Sequence, residues 1–359
     1  MKKGSYIIWF LGLLVFTIMI SFTKTTTESH NYDTKVQATN LTIQAFQTIY
    51  NHRIANNISL IDPTRQGELM DTYETGMIGY WLTDITTTSG SIRAKQLSTN
   101  PNFAAVVVDM LDKANVKEND EVGVVMSGSF PAIGIATLCA LQIMNVKASV
   151  IVSIGASSYG ATIPEFTIFD MIQVLYEASI IDKNINYVSF GGNDDTGNEF
   201  STETRNSIIN RIYESDINLL SGGSFEEVIT NRMSIFQEEV PKMKLFINIG
   251  GHFSSLGQGL STFLSDNGLI FQTKRLYSSD RGLINRYLEQ GIPVTHFINI
   301  EDLVIEYDLS LNPTSPKIDL TSSVYYEEKV NGILVLIPVL LSFLILVKML
   351  LKRKKPQKT

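Results

Sequence analysis

The chain has 359 residues, 44% of them hydrophobic, enough for one large packed domain or two ordinary ones. Its 29 Lys and Arg face 36 Asp and Glu; eight of the basic residues sit at the two ends, so the middle sets 21 against all 36, a net charge of −15. Such a surface repels nucleic acid and argues against that partner class, and a single cysteine, Cys139, excludes an intrachain disulfide.

The first element is an uncharged apolar run, Ser5 to Phe22, behind Lys2 and Lys3. At 18 residues it is near the minimum for spanning a bilayer. A cleaved signal peptide is the rival reading. Signal cores are usually shorter and want small residues at alternate positions before cleavage, which Ser21, Phe22 and Thr23 supply poorly, so an uncleaved anchor is preferred. Residues 24 to 34 are rich in Thr, Ser and Asn and read as a linker. From Lys35 to Asn56, Val36, Leu41, Ile43, Phe46, Ile49 and Tyr50 recur, several at helical spacing, and predict an amphipathic helix. Leu60 to Glu74 reads as further helix or loop. A hydroxyl-dense stretch, Thr83 to Lys95, follows, and Ala104 to Leu111 reads as a helix.

An alternation then begins. Short β-rich runs are expected at Glu121–Met126, Ala148–Ile154, Ile185–Phe190, Lys244–Ile249 and Pro293–Ile300. Helices are expected at Ala132–Met144, Ile168–Ala178, Ser201–Tyr213, Phe225–Glu239 and Leu283–Gln290. Strand, glycine-rich turn and helix in repetition is the pattern of an α/β fold: a doubly wound, mainly parallel sheet with helices on both faces. Residues 311–331 read as a linker back to a second apolar run, Gly332 to Leu351. Its one charge, Lys348, lies near an end where a lysine can reach the interface. Lys352, Arg353, Lys354 and Lys355 follow at once.

The expected organisation is therefore an anchor (1–23), an extracytoplasmic domain (24–331), a transmembrane helix (332–351) and a basic tail (352–359). Within the domain, 24–115 is mainly helical and 116–310 is Rossmann-like. Basic residues outside both apolar runs place both termini in the cytoplasm, and so the domain outside, on a bacterial plasma membrane.

In open parallel sheets, ligands bind beyond the carboxyl ends of the strands. Four small, polar turns fall there: Ser127-Gly128-Ser129, Gly155 to Gly160, Gly191 to Gly197 and Gly250 to Gly257. Glycine lets backbone approach a ligand closely, and the helix that follows offers free N–H groups. Gly128, Gly155, Ser158, Gly192, Asn193, Gly251 and Ser254 are the candidate ligand-binding positions. Arg93 and Lys95 are candidates to neutralise a substrate carboxylate, against the plainer reading of solvated surface charges. No Gly-x-Gly-x-x-Gly follows the first strand and no phosphate-loop motif occurs, so NAD and ATP are unsupported.

A hydrolase reading also stands. The chain order Ser, Asp, His is that of α/β-hydrolases, with Ser127, Ser129 or Ser157 as nucleophile, Asp194 or Asp195 as orienter and His252 as base. The Gly-x-Ser-x-Gly elbow is absent; Gly155 to Gly160 is one residue too long. The four histidines, His30, His52, His252 and His296, are far apart, so no metal site is assigned and His296 reads as a core residue. Cys139, in an apolar stretch without a cationic neighbour in sequence, reads as a buried structural thiol.

Several segments together carry a family resemblance. They are Gly76-Met77-Ile78-Gly79, the run Ile85 to Lys95, Asn100 to Ala105, Ser127 to Ala132, Gly155 to Ala161, Gly191 to Gly197, Gly291 to Val294, and Asn299 to Leu303. In this order, over most of residues 76 to 310, they resemble the bacterial poly-gamma-glutamate system protein (PgsW-like) family. The resemblance implies an accessory role in making or exporting an anionic capsule polymer. It brings no catalytic residues with it. Three expectations follow: an anchored factor that binds poly-gamma-glutamate or its synthase and export partners; a serine-type amidase or transpeptidase that cuts or attaches the polymer; or a non-catalytic scaffold of the synthase complex. No cofactor is expected, and a divalent cation is the one ion assigned a role, bridging an anionic polymer to an acidic domain.

Overall fold

The computed structural model describes residues 24–330, apart from 66, 183–184, 216, 259–265, 273–280 and 313–314, and scattered positions nearer the ends at 8–9, 11–12, 15–16, 18–20, 337, 340–341 and 343–344. Both apolar runs expected to cross a membrane therefore lie largely outside the described residues. Among those described, no helix is long and apolar enough to cross one. Two compact units form: residues 31–324, and a small unit built from both ends of the chain.

In chain order the described strands are β1 (Lys24–Glu28), β2 (Thr86–Thr88), β3 (Glu121–Ser127), β4 (Lys147–Ser153), β5 (Ala156–Ser157), β6 (Ile185–Ser189), β7 (Asn218–Leu219), β8 (Met243–Ile249), β9 (Gly268–Ile270), β10 (Val294–Phe297) and β11 (Tyr326–Val330). The helices are α1 (Tyr32–Ala55), α2 (Ile92–Ser98), α3 (Phe103–Lys113), α4 (Pro131–Ile143), α5 (Ile168–Glu177), α6 (Thr202–Glu214), α7 (Phe225–Glu239), α8 (Phe253–Leu256), α9 (Leu283–Glu289) and α10 (Ile300–Glu306).

The larger unit is α/β. Its seven-stranded sheet runs β7-β6-β4-β3-β8-β10-β9, parallel throughout except for β9, which pairs antiparallel with β10 at one edge. The central strands are β-branched and buried on both sides: Val122, Val124, Val125, Val150, Ile151 and Val152 have no exposed surface. Successive residues serve opposite faces. Val125 and Ile151 pack with Phe236, Phe246 and Tyr287, which covers one face with α7 and α9. Met126 lies against Gly134 of α4 on the other. There α4 packs beside α1 and α3, so the helical N-terminal part joins the same sheet rather than forming a subdomain.

The chain order along the sheet places the site. From β3 the chain moves outward through β4, β6 and β7, then returns to the other side of β3 as β8 and continues to β10. The reversal falls between β3 and β8, and a crevice opens there at the carboxyl ends of a doubly wound sheet. A second, two-stranded parallel ribbon, β2 with β5, sits at that end of the fold and ties the hydroxyl-rich stretch to the turn after β4.

Two expected linkers are corrected, and two further stretches are resolved. Residues 24–28 are strand, not linker: β1 pairs antiparallel with β11, Lys24 opposite Val330 and Glu28 opposite Tyr326, which also removes the C-terminal linker at 326–330. Three consecutive threonines, 25–27, are stiff β-branched residues that favour the extended backbone once a partner strand is present. Residues 60–74, apart from 66, take the loop alternative of the expected helix or loop, with one isolated bridge between Ile61 and Leu69. The hydroxyl-dense stretch contains α2, capped by the Ser91 side chain accepting the Ala94 N–H.

Candidate functional site

The four glycine-rich turns do meet at one edge. The Gly128 N–H donates to Ser153 O, the Gly155 N–H to Phe190 O and the Gly250 N–H to Phe297 O, each at 2.8–2.9 Å, so each turn is pinned to the next strand. Gly250 holds φ +92°, and a Cβ there would run into Ser127 Oγ. Between the turns lies a cavity of about 390 Å³. One wall is the hydroxyl-rich stretch, Thr87 to Ser91, with Lys95. Another is Ser127, Ser129, Phe130 and Ser157. The rim carries Gly192, Asn193, Glu199, Gly251, His252 and Ile298.

The chemistry concentrates on three of these residues. Lys95 stands on α2 with only 2% of its surface exposed. Its Nζ is 2.7 Å from Ser157 Oγ and also donates to the backbone carbonyl of Ser129. Its Nζ lies 3.9 Å from the centre of the Phe130 ring. Burial disfavours the ammonium and lowers the Lys95 pKa to about 7, although the carbonyl and the ring face favour the charged form. Ser157, on β5, is fixed from the other side: its N–H donates to Ser129 Oγ at 3.0 Å. Gly90 completes the close approach. A Cβ at that position would stand 2.7 Å from Ser158 O and 3.1 Å from Ser157 Oγ, so only glycine lets the loop pass there undisturbed.

The expected serine–histidine pairing is not what these side chains make. His252 is buried, its Nε2 is 3.2 Å from Asp195 Oδ1, and its Nδ1 is 2.6 Å from Ser254 Oγ. Both ring nitrogens are thus engaged away from Ser127, Ser129 and Ser157. Asp195, fully buried, also accepts the Gly191 N–H at 2.8 Å and meets the Arg232 guanidinium at 2.5 Å. Burial alone would push this carboxyl up; Arg232, with help from His252, outweighs it and holds the group well below the usual carboxylate range. Burial pulls the His252 pKa down, with Asp195 only partly opposing, so the ring is neutral at neutral pH. Arg232 also donates to Ser189 Oγ at 3.0 Å, and Ser189 pairs with Ser153 at 2.9 Å. This network braces the turn after β6 from behind the cavity.

The remaining expected positions divide as follows. Ser127, Ser129, Gly155, Ser157, Gly192, Asn193, Gly251, His252 and Lys95 line the cavity. Asp194, Asp195, Gly128, Ser158, Ser254 and Arg93 do not. Arg93 is corrected to a surface tie: its Nη2 donates to Leu311 O at 2.7 Å. Asp194 is exposed in a left-handed conformation (φ +54°), and its carbonyl accepts the Gly223 N–H. Ser254 is fully buried and serves as the local partner of His252. Sequence reasoning missed Thr87 to Ser91, Phe130 and Ile298 as lining residues. The hydroxyl density of 83–95 was the available signal for the first of these.

His296 is a core residue, as expected, its pKa lowered to about 4 by burial. Burial pushes the Cys139 thiol up to about 12, which leaves it unreactive. Among the described residues, no group of three or more His, Cys, Asp or Glu is placed to hold a metal ion. No protein-family model, no curated protein and no solved structure matches the chain.

Proposed function

We propose that this domain is a serine-type amidase or acyl transferase in which Ser157 is the nucleophile and Lys95 its base. The observation that carries the reading is the 2.7 Å approach of Lys95 Nζ to Ser157 Oγ inside a cavity whose burial lowers the amine pKa to about 7, so that a substantial share of it is deprotonated near neutral pH. A neutral lysine can take the hydroxyl proton as Ser157 Oγ bonds to an amide carbonyl carbon. The carbon–nitrogen bond then breaks, and Lys95 returns the proton to the leaving amine. Water or an acceptor amine attacks the resulting ester, its proton passing through Lys95 back to Ser157. Ser129 positions both partners, through its hydroxyl to the Ser157 N–H and its carbonyl to Lys95.

The resemblance to the poly-gamma-glutamate system family supplies the substrate class, an amide whose acyl part is a γ-glutamyl group. An extracytoplasmic location fits that substrate. It is supported by two apolar runs flanked by basic residues.

The test uses the full chain in detergent with poly-gamma-glutamate, with and without Mg²⁺, beside Ser157→Ala, Lys95→Met and His252→Ala. Shortening or transfer lost in the first two variants and kept in His252→Ala supports the dyad. Loss in His252→Ala alone would return the base role to the histidine. Unchanged polymer that co-elutes with the protein would make it the anchored binding factor, and neither cleavage nor binding would leave the synthase scaffold.

A further inference from the structure

We infer that the acyl group this cavity accepts carries a free ammonium, and that Glu199 is the residue that selects for it; the inference rests on the acyl-transfer reading above. Three ionisable side chains line the cavity: Lys95, His252 and Glu199. Burial keeps His252 uncharged at neutral pH and brings Lys95 close to that state. Glu199 is exposed at the rim, and its carboxylate is held at a set position. Its Oε1 accepts the Asn193 N–H at 2.6 Å. The carboxylate also fills the place that a Cβ on Gly192 would take, so the glycine is what admits it. Among the described residues the second oxygen, Oε2, has no hydrogen-bond partner. Gly192 in turn abuts Gly155, two residues before Ser157, so anion and nucleophile share one continuous wall.

The rest of the lining is neutral and rich in hydroxyls: Thr87, Thr88, Ser89, Ser91, Ser127 and Ser129. Such a wall can hydrogen-bond a carbonyl or carboxylate without adding charge. The volume, about 390 Å³, lies near the lower end of the usual 300–1,000 Å³ for small-ligand sites. It suits a chain end rather than a length of polymer. A γ-linked glutamate chain has a free α-ammonium only on its amino-terminal residue; every internal nitrogen is an amide. Glu199 repels the carboxylates of internal units and pairs with that one cation. The reaction is then release or transfer of the amino-terminal γ-glutamyl unit, with Ser157 attacking its γ-carbonyl, rather than cuts within the chain.

The test compares γ-glutamyl anilides with a free and with an acetylated α-amine, in both configurations, on the full-length protein and on Glu199→Gln. Labelling of Ser157 by a fluorophosphonate is followed in parallel. The expected result is kcat/KM about 10- to 100-fold higher for the free amine, the scale of one charge-assisted hydrogen bond, with that preference lost in Glu199→Gln at unchanged Tm. Equal rates on the two substrates, a preference that survives the substitution, or labelled Ser157 with turnover of neither anilide would each overturn the inference while leaving the nucleophile in place. Failure to label Ser157 at all would overturn the underlying reading.

Discussion

Among the described residues Lys95 has no carboxylate to pair with, and its acceptors there are a serine hydroxyl and a backbone carbonyl. The ordinary lysine pKa is 10.5 and the folded value is about 7, so folding expels a proton between those limits. The unfolded chain then binds more protons, and stability rises as pH goes from 7 towards 10.5. Below pH 7 both states are protonated and the full burial cost applies. At about 1.4 kcal/mol per unit that cost is a few kcal/mol. Lys95→Met is therefore expected to abolish turnover while raising the Tm at pH 7, by about 2–4 °C for each kcal/mol recovered in a domain of this size. Its thermal stability should also lose the wild-type rise with pH above 7. Activity of the wild type should climb through about pH 7 as the amine deprotonates. Calorimetry and a pH–rate profile check the two halves separately. A Tm that falls at pH 7 would mean that the contacts to Ser129 and Ser157 outweigh the burial penalty.

The elements around the site do the positioning. Ser157 has only a two-residue strand beneath it, and that strand is paired with β2 alone. Its orientation therefore depends on the loop that carries Gly90 and on the Ser129 hydroxyl. Gly90→Ala would force a Cβ to 2.7 Å from Ser158 O. Steric relief by shifting the ribbon costs about 1–3 kcal/mol, and kcat is expected to fall by about tenfold or more, because a shift on the order of 1 Å misplaces the nucleophile. Steady-state kinetics on the variant, beside its Tm, check this; unchanged kcat would show that the ribbon does not aim Ser157. Elsewhere a buried arginine plays a comparable part. Arg53 of α1, fully buried, donates to the carbonyls of Gly76 at 3.0 Å and Ile78 at 2.8 Å. That contact accounts for the Gly76 to Gly79 segment as a braced turn, and the Asp71 carboxylate accepts the Gly76 N–H from the other side.

At the scale of the molecule, the domain and the proposed polymer substrate carry charge of the same sign. A domain of net −15 meets a polyanion with repulsion at long range. Screening within about 8 Å at physiological salt removes most of that. Turnover of poly-gamma-glutamate is therefore expected to rise with added NaCl, whereas turnover of a small γ-glutamyl anilide should change little. Rates measured from low salt to about 0.3 M decide between this and a surface that attracts polymer through bridging cations, for which Mg²⁺ would act at constant ionic strength.

The sheet was legible in the sequence because its strands are short, β-branched and punctuated by glycine, and because local periodicity is a property of neighbours along the chain. The predicted runs at 121–126, 148–154, 185–190 and 244–249 all reappear as β3, β4, β6 and β8 within a residue or two. The two-residue strands β5 and β7, and β2 and β9 with three residues each, left no such signal, since elements this short exist only through their partners. The candidate turns were legible for the same local reason. Which serine meets which base was not. Lys95 and Ser157 are 62 positions apart, and their contact depends on the ribbon that pairs β2, just before α2, with β5, which carries Ser157. His252, the base that chain order favoured, is instead taken up by Asp195, 57 residues away, and by Ser254 beside it. Sequence alone determined the longer strands and helices of the main sheet and the edge where their turns collect, because those follow from side-chain periodicity and turn chemistry. Only the tertiary structure decided the pairing of groups and the burial that shifts Lys95, because proximity and desolvation belong to the packed chain.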